Sequence, residues 1–189
     1  MLEESSAEAM LKALVPKLID LRITSRYISF QGKQDLDKQL EKRLRGYLNP
    51  AARFIVMRDQ DNHPECRSLK ASLLEKCDRA GKASCALVRI ACRELESFYL
   101  ADLAAVEAGL GLSGLVAKQN KGKFRQPDIL VSPSRELEKL SHGMYQKVGG
   151  SRAIGAHLDL GNTRSPSFHQ LVLALRKMEQ ALLSELQST

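Results

Sequence analysis

Residues 54–61 read FIVMRDQD, an apolar run that ends abruptly in charged and polar residues. A short, wholly apolar run is typical of a strand buried on both faces of a parallel sheet. A second apolar stretch spans Ala83–Cys92, and helical patterns lie near 34–47, near 65–79 and from about 96 to 109. Strands that alternate with helices predict an α/β fold, Rossmann-like in outline, with a mostly parallel sheet flanked by helices.

The two ends of the chain extend this pattern. We predict a first helix with a Ser5/Glu8 capping box, and a strand over Ile23–Phe30. Residues 111–165 form a basic, irregular region rich in Gly and Ser, with a short helix around 134–140 and a turn at Gly149-Gly150. A C-terminal helix of about 166–187 follows Ser165 and Pro166. We interpret residues 1–189 as a single domain with its core at about 1–110.

Composition and cysteine usage indicate a soluble, cytoplasmic protein. Hydrophobic residues make up 43% of the chain and charged residues 27%, an ordinary globular balance. We find no apolar run long enough to span a membrane, and the polar first residues do not resemble a secretory signal. Four cysteines without Cys-x-x-Cys spacing favour reduced thiols over disulfides, which suits the cytoplasm.

The basic residues are clustered. The formal net charge is +7, and one tract contains Lys121, Lys123 and Arg125 with Lys118. A second group contains Lys147 and Arg152. Both groups are consistent with ordinary solvated loops. They are equally consistent with a surface that contacts the phosphates of a nucleic acid.

Carboxylates follow the apolar segments. Asp59 and Asp61 come after the first apolar run, and Glu94 and Glu96 follow the second. Ligands of parallel sheets bind beyond the carboxyl ends of the strands. In extended geometry, residues two apart point the same way, so Asp59 and Asp61 are predicted to face one site. Such a pair suits Mg²⁺, although helix capping and first-turn acids explain the same pattern without a metal.

Several segments together resemble a known family. They are LEESSAE at 2–8, RDQD at 58–61, RELESFYLAD at 93–102, YQK at 145–147 and RSPSF at 164–168. The chain resembles, over nearly its whole length, the domain-of-unknown-function family 4276. That family is regarded as Toprim-like and related to the nuclease half of the overcoming-lysogenization-defect proteins. Its members are often encoded beside an ABC-type ATPase in apparent phage-defence settings.

The resemblance implies a set of site residues. It makes Glu3, Asp59 and Asp61 ligands of Mg²⁺ or Mn²⁺ and catalytic residues, with Glu8 a further ligand and Glu94 a catalytic or supporting carboxylate. Two features depart from the Toprim pattern: Glu4 stands where glycine is usual, and only Met1 and Leu2 precede Glu3. We therefore expect either apolar residues upstream of Met1 or a sheet that lacks this strand.

The resulting hypothesis is a Mg²⁺-dependent nuclease whose basic residues Lys121, Lys123, Arg125, Lys147 and Arg152 hold nucleic acid, with an ABC-type ATPase as a possible partner. Two alternatives stay open at this point. One is a non-catalytic protein that binds nucleic acid or the ATPase. The other is a metal-dependent phosphotransfer enzyme that acts on small substrates.

Overall fold

The computed structural model describes residues 1–187 and shows a helix-rich α/β protein. Residues 1–187 contain two strands, β1 (Phe54–Asp59) and β2 (Ala86–Ala91). The helices are α1 (Ser5–Leu14), α2 (Lys33–Arg45), α3 (Cys66–Arg79), α4 (Glu96–Leu100), α5 (Leu103–Leu110), α6 (Pro133–Leu140), α7 (Lys147–Gly155) and α8 (Pro166–Gln187). Short 3₁₀ turns at Val15–Lys17, Ala83–Cys85, Val116–Lys118, Gly122–Phe124 and Pro127–Ile129 connect them.

The sheet is small and its pairings among residues 1–187 are parallel. β1 and β2 pair from Phe54 opposite Ala86 to Asp59 opposite Ala91. On the other side of β1, Leu2 forms single parallel bridges to both Met57 and Ser29. The segment Met1–Glu3 therefore lies between β1 and the chain around Ser29, in a central position.

Helices cover both faces of this sheet. Alternate residues of β1 pack in opposite directions: Val56 contributes to a core with α2 and α3, and Met57 to a core with α1, α4, α5, α7 and α8. Val56 and its β2 partner Val88 are fully buried. The burial on both faces is what the apolar runs predict for parallel strands.

Several sequence predictions need correction. Ile23–Phe30 is not a regular strand, because only Ser29 makes a bridge. The helix predicted from about 96 to 109 is two helices, separated at Asp102, whose carboxylate accepts from the Ala105 N–H and caps α5. Ser5 is not a side-chain cap, and Glu8 instead contacts Ser29 and Lys12.

The region predicted as irregular contains α7, where we expected a turn. α7 packs directly against α1, and a Cβ atom on Gly155 would lie 2.8 Å from the Met10 carbonyl oxygen. Since no side chain fits there, glycine permits this close approach. Tertiary packing thus stabilises a helix whose glycines disfavour it locally.

Other predictions are confirmed. The Ser165 hydroxyl accepts from the Phe168 N–H and caps α8, which begins at Pro166. Gly81, with φ of 70°, follows α3 in the left-handed conformation typical of helix ends. The four cysteines are free thiols. None of the helices within residues 1–187 has the length and apolar character needed to cross a lipid bilayer.

Candidate active site at the carboxyl edge of the sheet

Three acidic side chains converge where the parallel segments end. Glu3 follows the paired residue Leu2, Asp59 is the last residue of β1, and Glu96 begins α4 beyond β2. The Asp59 N–H donates to Glu3 Oε2 at 3.1 Å. The charges of Glu96 and Glu3 both act on Asp59. We refer to Glu3, Asp59 and Glu96 as the carboxylate cluster.

Asp59 is the most perturbed acid in this cluster. Burial of its carboxyl group raises its pKa well above the ordinary value, and repulsion from Glu96 and Glu3 adds to the shift. The Leu95 N–H donates to Asp59 Oδ2 at 3.2 Å and partly offsets this effect. A carboxyl group under such repulsion holds its proton more tightly unless a cation takes the proton's place.

Glu96 is the cluster residue that our sequence prediction left out of the site. Its side chain is almost inaccessible, at 2% exposure, and burial raises its pKa. The Tyr145 hydroxyl donates to Glu96 Oε1 at 2.9 Å and stabilises the ionised form. Glu94 and Glu96 both follow β2, and the sequence alone does not show which of them is buried. Glu96 is buried because α4 begins there, and the sequence pattern did not predict that starting residue.

α7 and the residues before it form one wall of the site. The Tyr145 hydroxyl also lies 3.0 Å from Ser151 Oγ on α7. A Cβ on Gly150 would be 2.5 Å from Tyr145 Cδ2, so glycine makes room for the tyrosine ring. The pair Tyr145 and Ser151 therefore depends on the helix that we did not predict.

Lys147 supplies a positive charge beside the cluster. Its Nζ donates to Glu4 Oε2 at 2.7 Å. Burial tends to lower the pKa of Lys147, but the hydrogen bond to Glu4 and the charges of Glu4, Glu96 and Asp59 outweigh burial and raise it. We predicted Lys147 as a nucleic-acid contact, and the structure places its ammonium group against the acidic site.

Glu3 faces a second cation. Burial raises the pKa of Glu3, while the Asp59 N–H and the Arg58 charge oppose the rise. Arg58 Nε lies 3.8 Å from Glu3 Oε2, and its guanidinium also donates to Asp37 at 2.9 Å. Arg58 is therefore shared between Glu3 and α2.

Three predicted site residues are engaged outside this cluster. Asp61 adopts φ of 51°, so the chain is no longer extended there, and its carboxylate pairs with Lys33 at 2.8 Å. Glu94 accepts from the Ser134 N–H at 2.7 Å, at the amino end of α6. Glu8 accepts from Ser29 and pairs with Lys12. Two of the three still act on the cluster through their charges: the charge of Asp61 acts on Glu3, and that of Glu94 acts on Glu96.

The remaining basic residues are exposed. Lys121 and Arg152 lie at the surface, and Arg125 donates to the Asn120 carbonyl at 2.7 Å. Lys123 pairs with Glu136 on α6. Because Glu94 also contacts α6, this helix links the basic tract to the loop that leads to Glu96.

The donor chemistry of the cluster fits a hard divalent cation. Within residues 1–187, no three or more His, Cys, Asp or Glu side chains are grouped as a ready metal cage. Mg²⁺, however, usually binds through one or two carboxylates, waters and substrate phosphates. Asp59, repelled by two other acids, meets that requirement with either neighbour.

Fold and site together define a helix-rich α/β protein with a buried acidic cluster at the carboxyl edge of parallel segments. The family model described as "Domain of unknown function (DUF4276)" matches residues 2–176, and the chain belongs to that family. No curated protein and no solved structure matches the chain.

Proposed function

We propose that the protein is a Mg²⁺-dependent, Toprim-like nuclease that cleaves nucleic-acid phosphodiesters. The observation that carries the proposal is the position of Asp59, held between Glu96 and Glu3 at the end of β1 with its pKa raised by burial and by those two charges. Strongly perturbed acids at such an edge are more frequent in functional sites than in structural ones.

In this proposal Asp59 holds the ion together with Glu96 or Glu3. Bound Mg²⁺ would neutralise phosphate charge and lower the pKa of a coordinated water. Lys147 lies beside the same acids and would contact a phosphate oxygen once its bond to Glu4 is exchanged. Tyr145 holds Glu96 in its orientation through the 2.9 Å hydrogen bond.

The partners follow from charge and family. The formal net charge of +7 favours a polyanion, and the exposed Lys121, Lys123, Arg125 and Arg152 would contact its phosphates. An ABC-type ATPase as a working partner in phage defence rests on the family resemblance alone. We propose it as the setting in which cleavage is activated.

One observation favours the non-catalytic alternative. The acids already have protein partners: Lys147 for Glu4, Tyr145 for Glu96 and the Leu95 N–H for Asp59. A protein that uses this edge of the sheet only to bind a partner would need no metal ion in addition to these contacts. The nuclease and the non-catalytic binding protein differ in one respect: only the nuclease requires a divalent ion.

The deciding experiment measures cleavage of DNA and RNA by the full chain, with and without Mg²⁺ or Mn²⁺ and with and without an added ABC-type ATPase. We expect Asp59→Asn to abolish metal-dependent cleavage and the rise in thermal stability that the ion produces. Glu41→Gln is the matched control, because Glu41 pairs with Arg45 and Arg79 on the surface. Cleavage that is unchanged in Asp59→Asn would refute the proposal.

A further inference from the structure

The four cysteines of the chain lie in two pairs, and the pairs differ in exposure. The Cys66 thiol makes a side-chain hydrogen bond with the Cys92 thiol, and both residues are half-buried. In the other pair, the charge of Cys85 acts on Cys77, but Cys77 is completely buried. The Cys85 thiol donates instead to the Lys82 carbonyl at 3.5 Å. Cys66 and Cys92 are therefore the pair that a small reagent can reach from solvent.

The parallel sheet brings Cys66 and Cys92 together. Cys66 is the first residue of α3, which follows β1 after residues 60–65, and Cys92 comes directly after β2. The two strands end side by side, with Asp59 opposite Ala91. The chain therefore leaves both strands at the same edge of the sheet, and the two thiols meet beyond it.

The backbone already joins the two segments that contain these thiols. We refer to residues 60–65 and 92–95 as the edge loops. The Asp61 N–H donates to the Arg93 carbonyl at 2.7 Å, and the Arg93 N–H donates to Gln60 Oε1 at 3.4 Å. A disulfide between the two half-buried cysteines would join the start of α3 to the second edge loop covalently.

The second edge loop also contacts the carboxylate cluster. The Leu95 N–H donates to Asp59 Oδ2 at 3.2 Å. At the start of the loop, the Cys92 carbonyl accepts from the Ser97 hydroxyl at 2.7 Å and from the Glu94 N–H at 3.0 Å. Because Cys92 anchors the loop in this way, a restraint on Cys92 would also restrict the motion of Leu95.

The surroundings of Cys92 give the two thiols different roles. Burial, the charge of Asp128 and the contact with Cys66 raise the pKa of Cys92 to about 12. Cys92 therefore keeps its proton, which leaves Cys66 as the thiol that reacts first with an oxidant. An accessible cysteine beside a second cysteine that resolves its oxidised form is a common arrangement in redox-sensing sites.

We propose that Cys66 and Cys92 are a peroxide-sensitive thiol pair that closes to a disulfide and holds the two edge loops together. First, Cys66 Sγ attacks an oxygen of hydrogen peroxide and the O–O bond breaks, which gives a sulfenic acid on Cys66 and one water. Cys92 Sγ then attacks Cys66 Sγ, and the sulfenic hydroxyl leaves as a second water with the proton of Cys92. The two thiols lose two electrons and two protons, and the peroxide is reduced to two waters. This inference is independent of the proposed function, because it needs neither a metal ion nor nucleic acid.

The first test oxidises the folded full chain with hydrogen peroxide and maps its disulfides by mass spectrometry. In an unfolded chain, loop closure favours cysteines that are close in sequence, and positions 66 and 92 are the most distant of the possible pairs. We therefore expect the disulfide between Cys66 and Cys92 to predominate in the native protein and to lose this preference in urea. Dithiothreitol should reverse it.

Substitutions separate the two steps of the reaction. Cys92→Ser should stop at the sulfenic acid on Cys66, which dimedone traps, and Cys66→Ser should form neither the sulfenic acid nor this disulfide. Cys85→Ser is the matched control, because Cys85 is also half-buried but belongs to the other pair. It should form the same disulfide as the wild type.

The second test measures the restraint on the edge loops in the wild-type protein, without metal or nucleic acid. We expect oxidation to raise Tm by several degrees and to slow amide exchange at Leu95 by about tenfold or more. Reduction with dithiothreitol should return both quantities to their starting values.

Two results would overturn the proposal. A native disulfide that maps mainly to another pair, or oxidation of Cys66 to a sulfinic acid without a disulfide, would show that Cys92 does not resolve the oxidised Cys66. Equal amide exchange at Leu95 in the reduced and oxidised proteins would show that the bond does not restrain the loop.

Discussion

The Asp59 N–H donates to the Glu3 carboxylate at 3.1 Å, so the last residue of β1 is bonded to the residue that follows the central paired segment. This bond links the two halves of the proposed site. Anything that displaces Met1–Glu3 from the sheet would therefore also change the environment of Asp59. The strand pairing and the acidic cluster form one structural unit.

The first prediction concerns the pH dependence of stability. The folded-state pKa of Asp59 is raised well above its ordinary value, so the folded state binds more protons than the unfolded state between those two pKa values. The contribution of the Asp59 carboxyl group to stability should be fully present below the ordinary value and be lost as pH rises through the raised one. Each unit by which the two values differ corresponds to about 1.4 kcal/mol.

Asp59→Asn should remove this loss and keep the hydrogen bond from the Leu95 N–H. Urea unfolding should be measured from pH 4 to pH 8 without metal. As pH rises, the free energy of unfolding of the variant should increase relative to that of the wild type. Glu75→Gln, at an exposed position on α3, should run parallel to the wild type. A constant difference between Asp59→Asn and wild type at every pH would mean that the Asp59 pKa is not raised.

The second prediction concerns Tyr145. Its hydroxyl donates to Glu96, so Tyr145→Phe should raise the pKa of Glu96 further and weaken binding of Mg²⁺, most strongly at low pH. We expect a stability loss of about 1 kcal/mol from the lost hydrogen bond. Titration calorimetry at two pH values measures the effect, with Tyr47→Phe as the control.

A general loss of packing would lower Mg²⁺ affinity equally at both pH values. Tyr47 packs edge to face on Phe54, away from the acidic cluster, so Tyr47→Phe should leave Mg²⁺ affinity unchanged. A pH-independent effect in Tyr145→Phe would therefore show that the hydroxyl does not stabilise the ionised form of Glu96.

The third prediction uses two adjacent glycines of α7. Alanine at 150 would place its Cβ 2.5 Å from Tyr145 Cδ2, whereas alanine at 149 would meet no atom within 4 Å. Gly150→Ala should lower stability by about 1–3 kcal/mol through overpacking. Gly149→Ala should raise it by about 0.5–1 kcal/mol, since alanine favours a helix.

Chemical denaturation of the two variants measures both effects. The pair isolates the contact with Tyr145 because backbone propensity changes equally at the two positions. Equal stabilisation by both substitutions would contradict the close packing of Tyr145 on α7.

Local patterns predicted the elements that depend on local chemistry. The apolar runs gave β1 and β2, and Ser165 with Pro166 gave the start of α8. The strand expected over Ile23–Phe30 is reduced to a few bonds at its end: the Ile28 carbonyl accepts from the Leu2 N–H, and the Phe30 N–H donates to the Leu2 carbonyl. The backbone N–H groups of residues 24–28 donate to no backbone carbonyl within the described residues 1–187. Propensity indicates the conformation of one segment and not the presence of its neighbour.

The site was predictable only where position along a strand determines it. Glu3 and Asp59 follow paired segments, so their convergence could be expected from sheet geometry. Asp61 differs because its own backbone has a positive φ, so the chain is no longer extended there. Glu96 and Tyr145 are 49 residues apart and meet only through the packing of α7, which no local pattern indicates.

The last prediction separates binding from turnover. Lys121 and Arg152 are exposed and have no ion pair within the described residues 1–187, so both are available to phosphates. Lys121→Ala and Arg152→Ala should weaken nucleic-acid affinity similarly for all sequences, and each should lower the salt slope by about 0.9. Lys38→Ala, an exposed charge on α2, is the control and should leave the slope unchanged.

Asp59→Asn should behave in the opposite way. Because it removes negative charge from the site, binding should be retained or strengthened while metal-dependent cleavage is lost. Fluorescence anisotropy over a salt series, run beside a cleavage assay, resolves both quantities for every variant. If Lys121→Ala and Arg152→Ala leave the salt slope at the Lys38→Ala value, these residues are solvated surface charges and nucleic acid does not bind across them. If Asp59→Asn lowers affinity as much as cleavage, the cluster serves binding alone and the nuclease proposal fails.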